Sequence, residues 1–222
     1  TKLDIERALA TRNFEDFLDY VRILEPPPGR GVIPFEKWPH LVETIDILDD
    51  ERLLVILKAR QVGISWLLAA YALWTAIYHR GAVVLELSQT EKVATALLGK
   101  CKTILSLLPP HLQTQVGQDS LTEMSFPDMQ SKITALPSTE SAGRSETATL
   151  VIQDEADYHA YLEANYAAVK PTIDAGGQLI MASTSNKRVA TSLFKELYRG
   201  APENGWKGQF IGWSARPGRD DG

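Results

Sequence analysis

The chain reads as one α/β domain, with a mostly parallel central sheet flanked by helices and an N-terminal helical extension. Three observations carry that reading. Continuous apolar runs of strand length recur at 53–57, 82–87, 150–153 and 178–182. Helix-length segments lie between them. The polar and charged clusters with chemical potential all follow the carboxyl ends of the runs. Unbroken apolar runs are expected of strands buried on both faces, and strands alternating with helices imply parallel pairing with right-handed crossovers.

Taken in order, residues 2–24 read as one or two helices, with apolar positions at Leu3, Ile5, Leu9, Phe14, Phe17, Leu18, Val21 and Leu24. Pro26-Pro27-Pro28-Gly29 stops them, because proline has no amide to donate and clashes with the preceding turn. Residues 40–49 read as a short helix. The run 53–57 is the first buried strand, 58–63 a turn, and 65–78 a breaker-free helix. The strand 82–87 follows. Thr90 is placed to cap a helix running to Leu108, which Pro109-Pro110 ends. Residues 121–126 and 132–136 alternate around a Pro-Asp turn and suggest a hairpin. Beyond the strand 150–153, residues 158–169 read as helix, 178–182 as strand, 191–199 as helix and 208–213 as a last strand. The domain reading is therefore 1–50 as a lid-like helical extension, 51–213 as the core and 214–222 as the start of a linker.

With 222 residues, 44% hydrophobic and 23% charged, the composition is that of a water-soluble folded domain. No apolar run approaches the roughly 20 residues that a bilayer span needs, so no membrane role is expected. No secretory signal is visible, and the missing initiator Met points to a trimmed chain. Cys101 is the only cysteine, in an apolar helical pattern, which excludes an intrachain disulfide and a Cys-based zinc site and implies a reducing compartment. The net charge of −5 lacks the basic balance of many nucleic-acid binders; any such contact must be local or shared with another domain or subunit.

After the first strand comes Lys58-Ala59-Arg60-Gln61-Val62-Gly63-Ile64-Ser65. Against the phosphate-loop pattern G-x-x-x-x-G-K-[ST], Gly63 and Ser65 match, Ile64 stands at the lysine position and Lys58 at the first glycine. The physical requirements are nevertheless within reach. Gly63 followed by a helix supplies amides and a helix N-terminus for phosphates, Ser65 a hydroxyl for Mg²⁺, and Lys58 or Arg60 a cation. The alternative is a plain strand–turn–helix with incidental charges.

The strand 150–153 ends in Asp154 and Glu155. In a nucleotide hydrolase the first acid of such a pair holds Mg²⁺ and the second orients the attacking water. Asp157 reads equally as a first-turn helix acid or a functional one. Ser183-Thr184-Ser185-Asn186 follows the next strand, where hydroxyls can sense the γ-phosphate and couple its loss to movement; a helix-capping loop is the alternative. Arg144, in a small-residue loop, suits an arginine finger, or is a solvated arginine. Phe35, Trp38 and His40 lie upstream: Trp38 and His40 could hold an adenine, or the aromatics could anchor the N-terminal helices.

These residues together resemble the ATPase domain of the large terminase subunit of tailed bacteriophages, over about residues 33–220. The displaced loop through Trp66, the strand and acids Val151-Ile152-Gln153-Asp154-Glu155-Ala156, and the segment Ala182-Ser183-Thr184-Ser185-Asn186 carry the resemblance. It implies a P-loop NTPase fold of the RecA/ASCE-like kind and Lys58 as the loop lysine. It also implies contacts to ATP along 58–66, Mg²⁺ on Ser65 and Asp154, Glu155 as catalytic acid, and Arg144 acting on a neighbouring subunit's ATP. The implied activity is ATP-driven translocation of double-stranded viral DNA into a procapsid. The implied partners are the portal protein, the small terminase subunit and further copies of the chain in a ring, in the host cytoplasm and transiently at the portal vertex. The tail from Trp213 resembles the lead into a nuclease domain, and no nuclease activity is expected of residues 1–222. Two departures stand out: Ile64 in place of lysine, and no adenine-reading glutamine near Trp38. Two other readings remain, a superfamily 2 helicase fragment and a non-catalytic nucleotide-binding assembly module.

Overall fold

Residues 1–25, 29–143 and 147–219 are described by a computed structural model. Helix α1 (Lys2–Arg12) begins with a reciprocal capping box between Thr1 and Asp4. It buries only Ala10 and leaves Leu3 and Ile5 exposed, so it lies on the surface of the domain. Asn13 caps α2 (Phe14–Leu18), whose Phe14 and Phe17 are buried.

The chain then departs from the expected helix over 2–24. Arg22–Glu25 forms strand β1, paired antiparallel with β2 (Gly31–Pro34) in the register Arg22↔Pro34. Four residues fit a helical or a strand period equally well, and the partner strand decides the matter.

Pro39 opens α3 (Pro39–Asp50), its fixed φ suiting the first helical position. Strand β3 (Leu53–Lys58) leads into α4 (Ile64–Tyr78), a helix buried along nearly its whole circumference. Phe14 meets Tyr71 of α4 edge to face at 4.9 Å and Phe17 meets Tyr78 at 5.9 Å, which ties α2 to that helix. Strand β4 (Val83–Ser88) precedes α5 (Glu91–Leu107), capped by Thr90 as expected. The expected hairpin is β5 (Glu123–Phe126) with β6 (Ser131–Pro137). Strand β7 (Leu150–Asp154), α6 (Leu162–Asp174), β8 (Gln178–Ser183), α7 (Leu193–Gly200) and β9 (Lys207–Ile211) complete the order.

The helix expected over 158–169 is broken. Glu155 adopts a left-handed conformation (φ 53°), residues 156–158 form one 3₁₀ turn, and His159 is extended, its Nε2 donating to the Asp154 carbonyl at 2.9 Å. Helix α6 starts only at Leu162.

The seven-stranded sheet has the order β5-β6-β4-β7-β8-β3-β9, with every pair parallel except β5–β6. Side chains alternate across it: Leu54 and Ile56 of β3 enter the cluster under α2–α5, and Val55 the cluster under α6 and α7. The consequence for the site lies in the strand order. β8 stands between β3 and β7, so the polar segment after β8 is flanked by the loop after β3 on one side and the acids after β7 on the other. Among the described residues no helix is long and apolar enough to cross a membrane.

Candidate active site

The loop between β3 and α4 is held by its carbonyls. His40 Nε2 donates to the Val62 carbonyl at 2.7 Å, Arg219 to that of Arg60 at 3.0 Å, and Arg216 to that of Gln61 at 3.5 Å. The Ala59 amide is taken by the Ile211 carbonyl of β9 at 2.8 Å. Among the described residues, the amides of Arg60, Gln61, Val62, Gly63, Ile64 and Ser65 donate to no protein acceptor. A run of free N–H groups ending in a helix N-terminus is a seat for an anion. Gln61 (φ 59°) and Gly63 (φ 84°) supply the left-handed turns that make it. A Cβ on Gly63 would also come within 3.0 Å of Leu41.

Not every residue of 58–66 offers its side chain. Val62 and Ile64 are 1% exposed and point into the core, so only their backbone can face a ligand. The position where the usual pattern has lysine is thus a core position here, and a buried lysine, Lys58, stands at the other end of the loop. Lys58, itself only 8% exposed, places its ammonium 2.8 Å from Glu155 Oε1 and 3.8 Å from Asp154 Oδ1.

Strand β7 delivers the acids. Ser65 Oγ donates to Asp154 Oδ2 at 3.0 Å, and the Glu155 amide to Asp154 Oδ1 at 3.0 Å. The left-handed turn at Glu155 swings its side chain toward β8, where Oε2 accepts from the Thr184 amide (3.2 Å), the Thr184 hydroxyl (3.2 Å) and the Ser183 hydroxyl (3.4 Å). Burial alone would raise the Glu155 carboxyl. The Lys58 ammonium and the Thr184 donors outweigh it and hold the carboxyl below its ordinary value.

Asp157 is buried and organises the loop after β8. It accepts from the Asn186 amide at 2.6 Å and from the Ser192 hydroxyl, and pairs with Lys195 at 3.4 Å. Tyr158 donates to the Ser185 carbonyl at 3.2 Å. The segment Ser183, Thr184, Ser185 and Asn186 is therefore bonded directly to the acid-bearing turn. Arg144 lies outside the described residues.

At the other end of the loop a cavity of about 640 Å³ is lined by Trp38, Trp66, Gln61, Gly63 and Arg216, with the β1–β2 hairpin as its far wall. His40 is not part of that lining: it is 9% exposed and sits beneath the loop with Nε2 committed to Val62. The Arg216 guanidinium lies over the Trp38 ring at 5.7 Å. The hairpin residues and Arg216 had no local signal as site residues, since they come from opposite ends of the chain. A second cleft, of about 780 Å³, opens between Lys58 and Arg60 on one wall and Thr184, Ser185, Asn186, Lys187 and Arg188 on the other.

The donor set suits a hard cation. The hydroxyl and carboxylate of Ser65 and Asp154 are oxygens already within hydrogen-bond distance of each other. Among the described residues no group of three His, Cys, Asp or Glu side chains could cage a metal alone. Two protein oxygens, with water and phosphate oxygens for the rest, is a usual Mg²⁺ arrangement.

No family model and no curated protein matches the chain. Solved structures do. The large terminase of bacteriophage HK97 superposes with a TM-score of 0.67 at 13% identity, over 95% of this chain and 45% of that one. The large terminase ATPase domain of Thermus phage P74-26 gives 0.52 at 17% identity, over 73% and 75%. The UvsW helicase of bacteriophage T4 gives 0.51 at 10%, over 90% and 66%. The chain has the P-loop NTPase fold of the phage large terminase ATPase domains.

Proposed function

We propose that this chain hydrolyses ATP as the motor domain of a phage large terminase, driving double-stranded viral DNA into a procapsid. The observation that carries the reading is the convergence of Lys58, Ser65, Asp154 and Glu155 next to a loop of unpaired amides. The loop amides and Lys58 receive the phosphates. Ser65 and Asp154 would hold Mg²⁺, which would supply neutralisation of the phosphate charge.

With no phosphate present, Lys58 and Glu155 neutralise each other across 2.8 Å. A γ-phosphate competes for the ammonium, and Glu155 Oε1 becomes free to accept from a water. Glu155 remains ionised, so its part is to orient that water, which suits a transfer that depends on positioning and electrostatics. Thr184 stays bonded to the same carboxylate and passes its movement to the segment after β8. Arg144 completes the site of a neighbouring copy in a ring. In this reading residues 1–50 cover the base end, 51–213 form the motor core and 214–222 begin a linker. The portal protein and the small terminase subunit are the partners, in the host cytoplasm and at the portal vertex.

The likeness to UvsW supports a second reading, a helicase-like ATPase. Phosphate release with Mg²⁺ and ATP separates the possibilities. Turnover that Glu155→Gln abolishes and that duplex DNA stimulates is expected. Stimulation by single strands alone would favour the helicase reading, and no turnover in any assembly state would leave a nucleotide-binding module.

A further inference from the structure

The cleft beside the phosphate loop gathers four cationic side chains. Lys58 and Arg60 stand on one wall, Lys187 and Arg188 on the other, and no carboxylate lines it. Arg60, Lys187 and Arg188 are exposed. The ion pairs around the cleft involve Lys58 and Lys195; the three exposed cations enter none among the described residues. In a chain of net charge −5 this is a local reversal of sign. Like charges gathered on one cleft repel unless an anion joins them.

The loop that carries Lys187 and Arg188 is anchored from below. Asp157 takes the Asn186 amide at 2.6 Å, and Lys195 Nζ donates to the Asn186 carbonyl at 2.7 Å. Just upstream, Thr184 holds Glu155 Oε2 through both its amide and its hydroxyl. The two cations thus extend from a short, hydrogen-bonded segment that begins at the proposed water-orienting acid.

We propose that Lys187 and Arg188 contact backbone phosphates of duplex DNA, and that the Glu155–Thr184 bonds link this grip to the state of the nucleotide site. The linkage rests on the motor reading above; the contact itself does not. Both cations could instead serve the nucleotide's own phosphates, but those are already faced by Lys58, the loop amides and the start of α4, on the opposite wall. A duplex, with a charge every ~1.7 Å of its axis, can engage several exposed cations at once.

The test uses the whole chain with Lys187→Ala/Arg188→Ala, and the paired Gln variant as a second check, both verified as folded by circular dichroism. Duplex DNA of mixed sequence is titrated over a range of salt, and the KM for ATP is measured without DNA. The expected result is duplex affinity about 10-fold lower, with the slope of log K against log salt shallower by about 2, and with KM for ATP and DNA-free turnover within about 2-fold. Unchanged duplex affinity and slope would overturn the contact, as would a raised KM with DNA binding intact, which would assign the cations to the nucleotide. Parent chain that binds no duplex also overturns it. Parent chain that hydrolyses no ATP but loses duplex affinity on substitution upholds the contact and removes the motor reading instead. For the linkage, parent affinity should differ severalfold between ADP and a non-hydrolysable ATP analogue, and Thr184→Val, which loses the hydroxyl bond and keeps the amide bond, should shrink the difference. Equal affinity in the parent overturns that part.

Discussion

The two ends of the loop between β3 and α4 are built differently. At the proposed phosphate end every group stands on a strand terminus or in the first turn of α4, and the buried ones are held by short polar contacts. Lys58, Asp154, Glu155 and Ser65 are linked at 2.8–3.0 Å. At the proposed base end, Trp38, Trp66, the β1–β2 hairpin and Arg216 meet from segments far apart in the chain, mainly through apolar and cation–π contact. The first end is preorganised by the sheet. The second is a cover assembled by tertiary packing. Substitutions at the first should therefore cost rate, and at the second affinity.

The largest effect that sharpens this contrast is expected from Glu155→Gln, a fall in turnover of about 100-fold or more with nucleotide binding retained. Measuring phosphate release beside binding of a fluorescent ATP analogue checks it; a matching loss of binding would blur the distinction. Next come Trp38→Ala and Trp66→Ala. Loss of stacking on a base, about 1–3 kcal/mol, should raise KM for ATP about 10-fold or more while kcat changes by less than about 3-fold. A fall in kcat as large as that of Glu155→Gln would break the comparison.

Smaller effects probe the environment of the phosphate end. Thr184→Val removes a hydroxyl bond to Glu155 but keeps the amide bond. Donors to a carboxylate favour its ionised form. Losing one lets the Glu155 pKa rise back toward its ordinary value, so the acid limb of the pH–turnover profile should move to higher pH, while turnover at neutral pH, where the carboxyl stays ionised, changes little through this shift. The smallest expected effect on rate is at Glu86 of β4, where burial pushes the carboxyl up to about 8 and leaves Oε2 without a partner. The folded chain keeps this proton where the unfolded chain has lost it, so stability should fall as pH rises from the ordinary carboxylate range to about 8. Glu86→Gln should remove that part of the fall, on the order of a few kcal/mol. Thermal unfolding of both chains at pH 5 and 8 checks it, and parallel curves would contradict it.

The same contrast explains what could be read before the structure. Buried strands such as Leu53–Lys58 and Gln178–Ser183 announce themselves by unbroken apolar runs, so the sheet and the convergence of Lys58, Ser65, Asp154 and Glu155 were legible from local sequence. Arg22–Glu25 was not, because four residues carry no decisive period and their strand partner lies beyond a proline-rich stretch of sequence. The break before α6 was hidden for another reason: it follows from the left-handed backbone at Glu155 and the His159 hydrogen bond, which pattern alone does not reveal. His40 was legible as a polar residue near the loop, but whether it faced a ligand or the Val62 carbonyl depended on packing. Arg216 belongs to the cavity only because the tail folds back over the loop.

In the proposed site Lys58 at the near rim takes the place of the usual lysine, while Ile64 at the usual position serves the core. The most direct measurement is ATP turnover of Lys58→Ala beside Ile64→Ala, with thermal unfolding of both. Lys58→Ala should lose about 100-fold or more in turnover, together with some stability, because Glu155 and Asp154 are left without their cation. Ile64→Ala should lose about 2–5 kcal/mol of stability yet keep turnover within a few-fold while folded. Equal losses of turnover in the two folded variants would contradict the account.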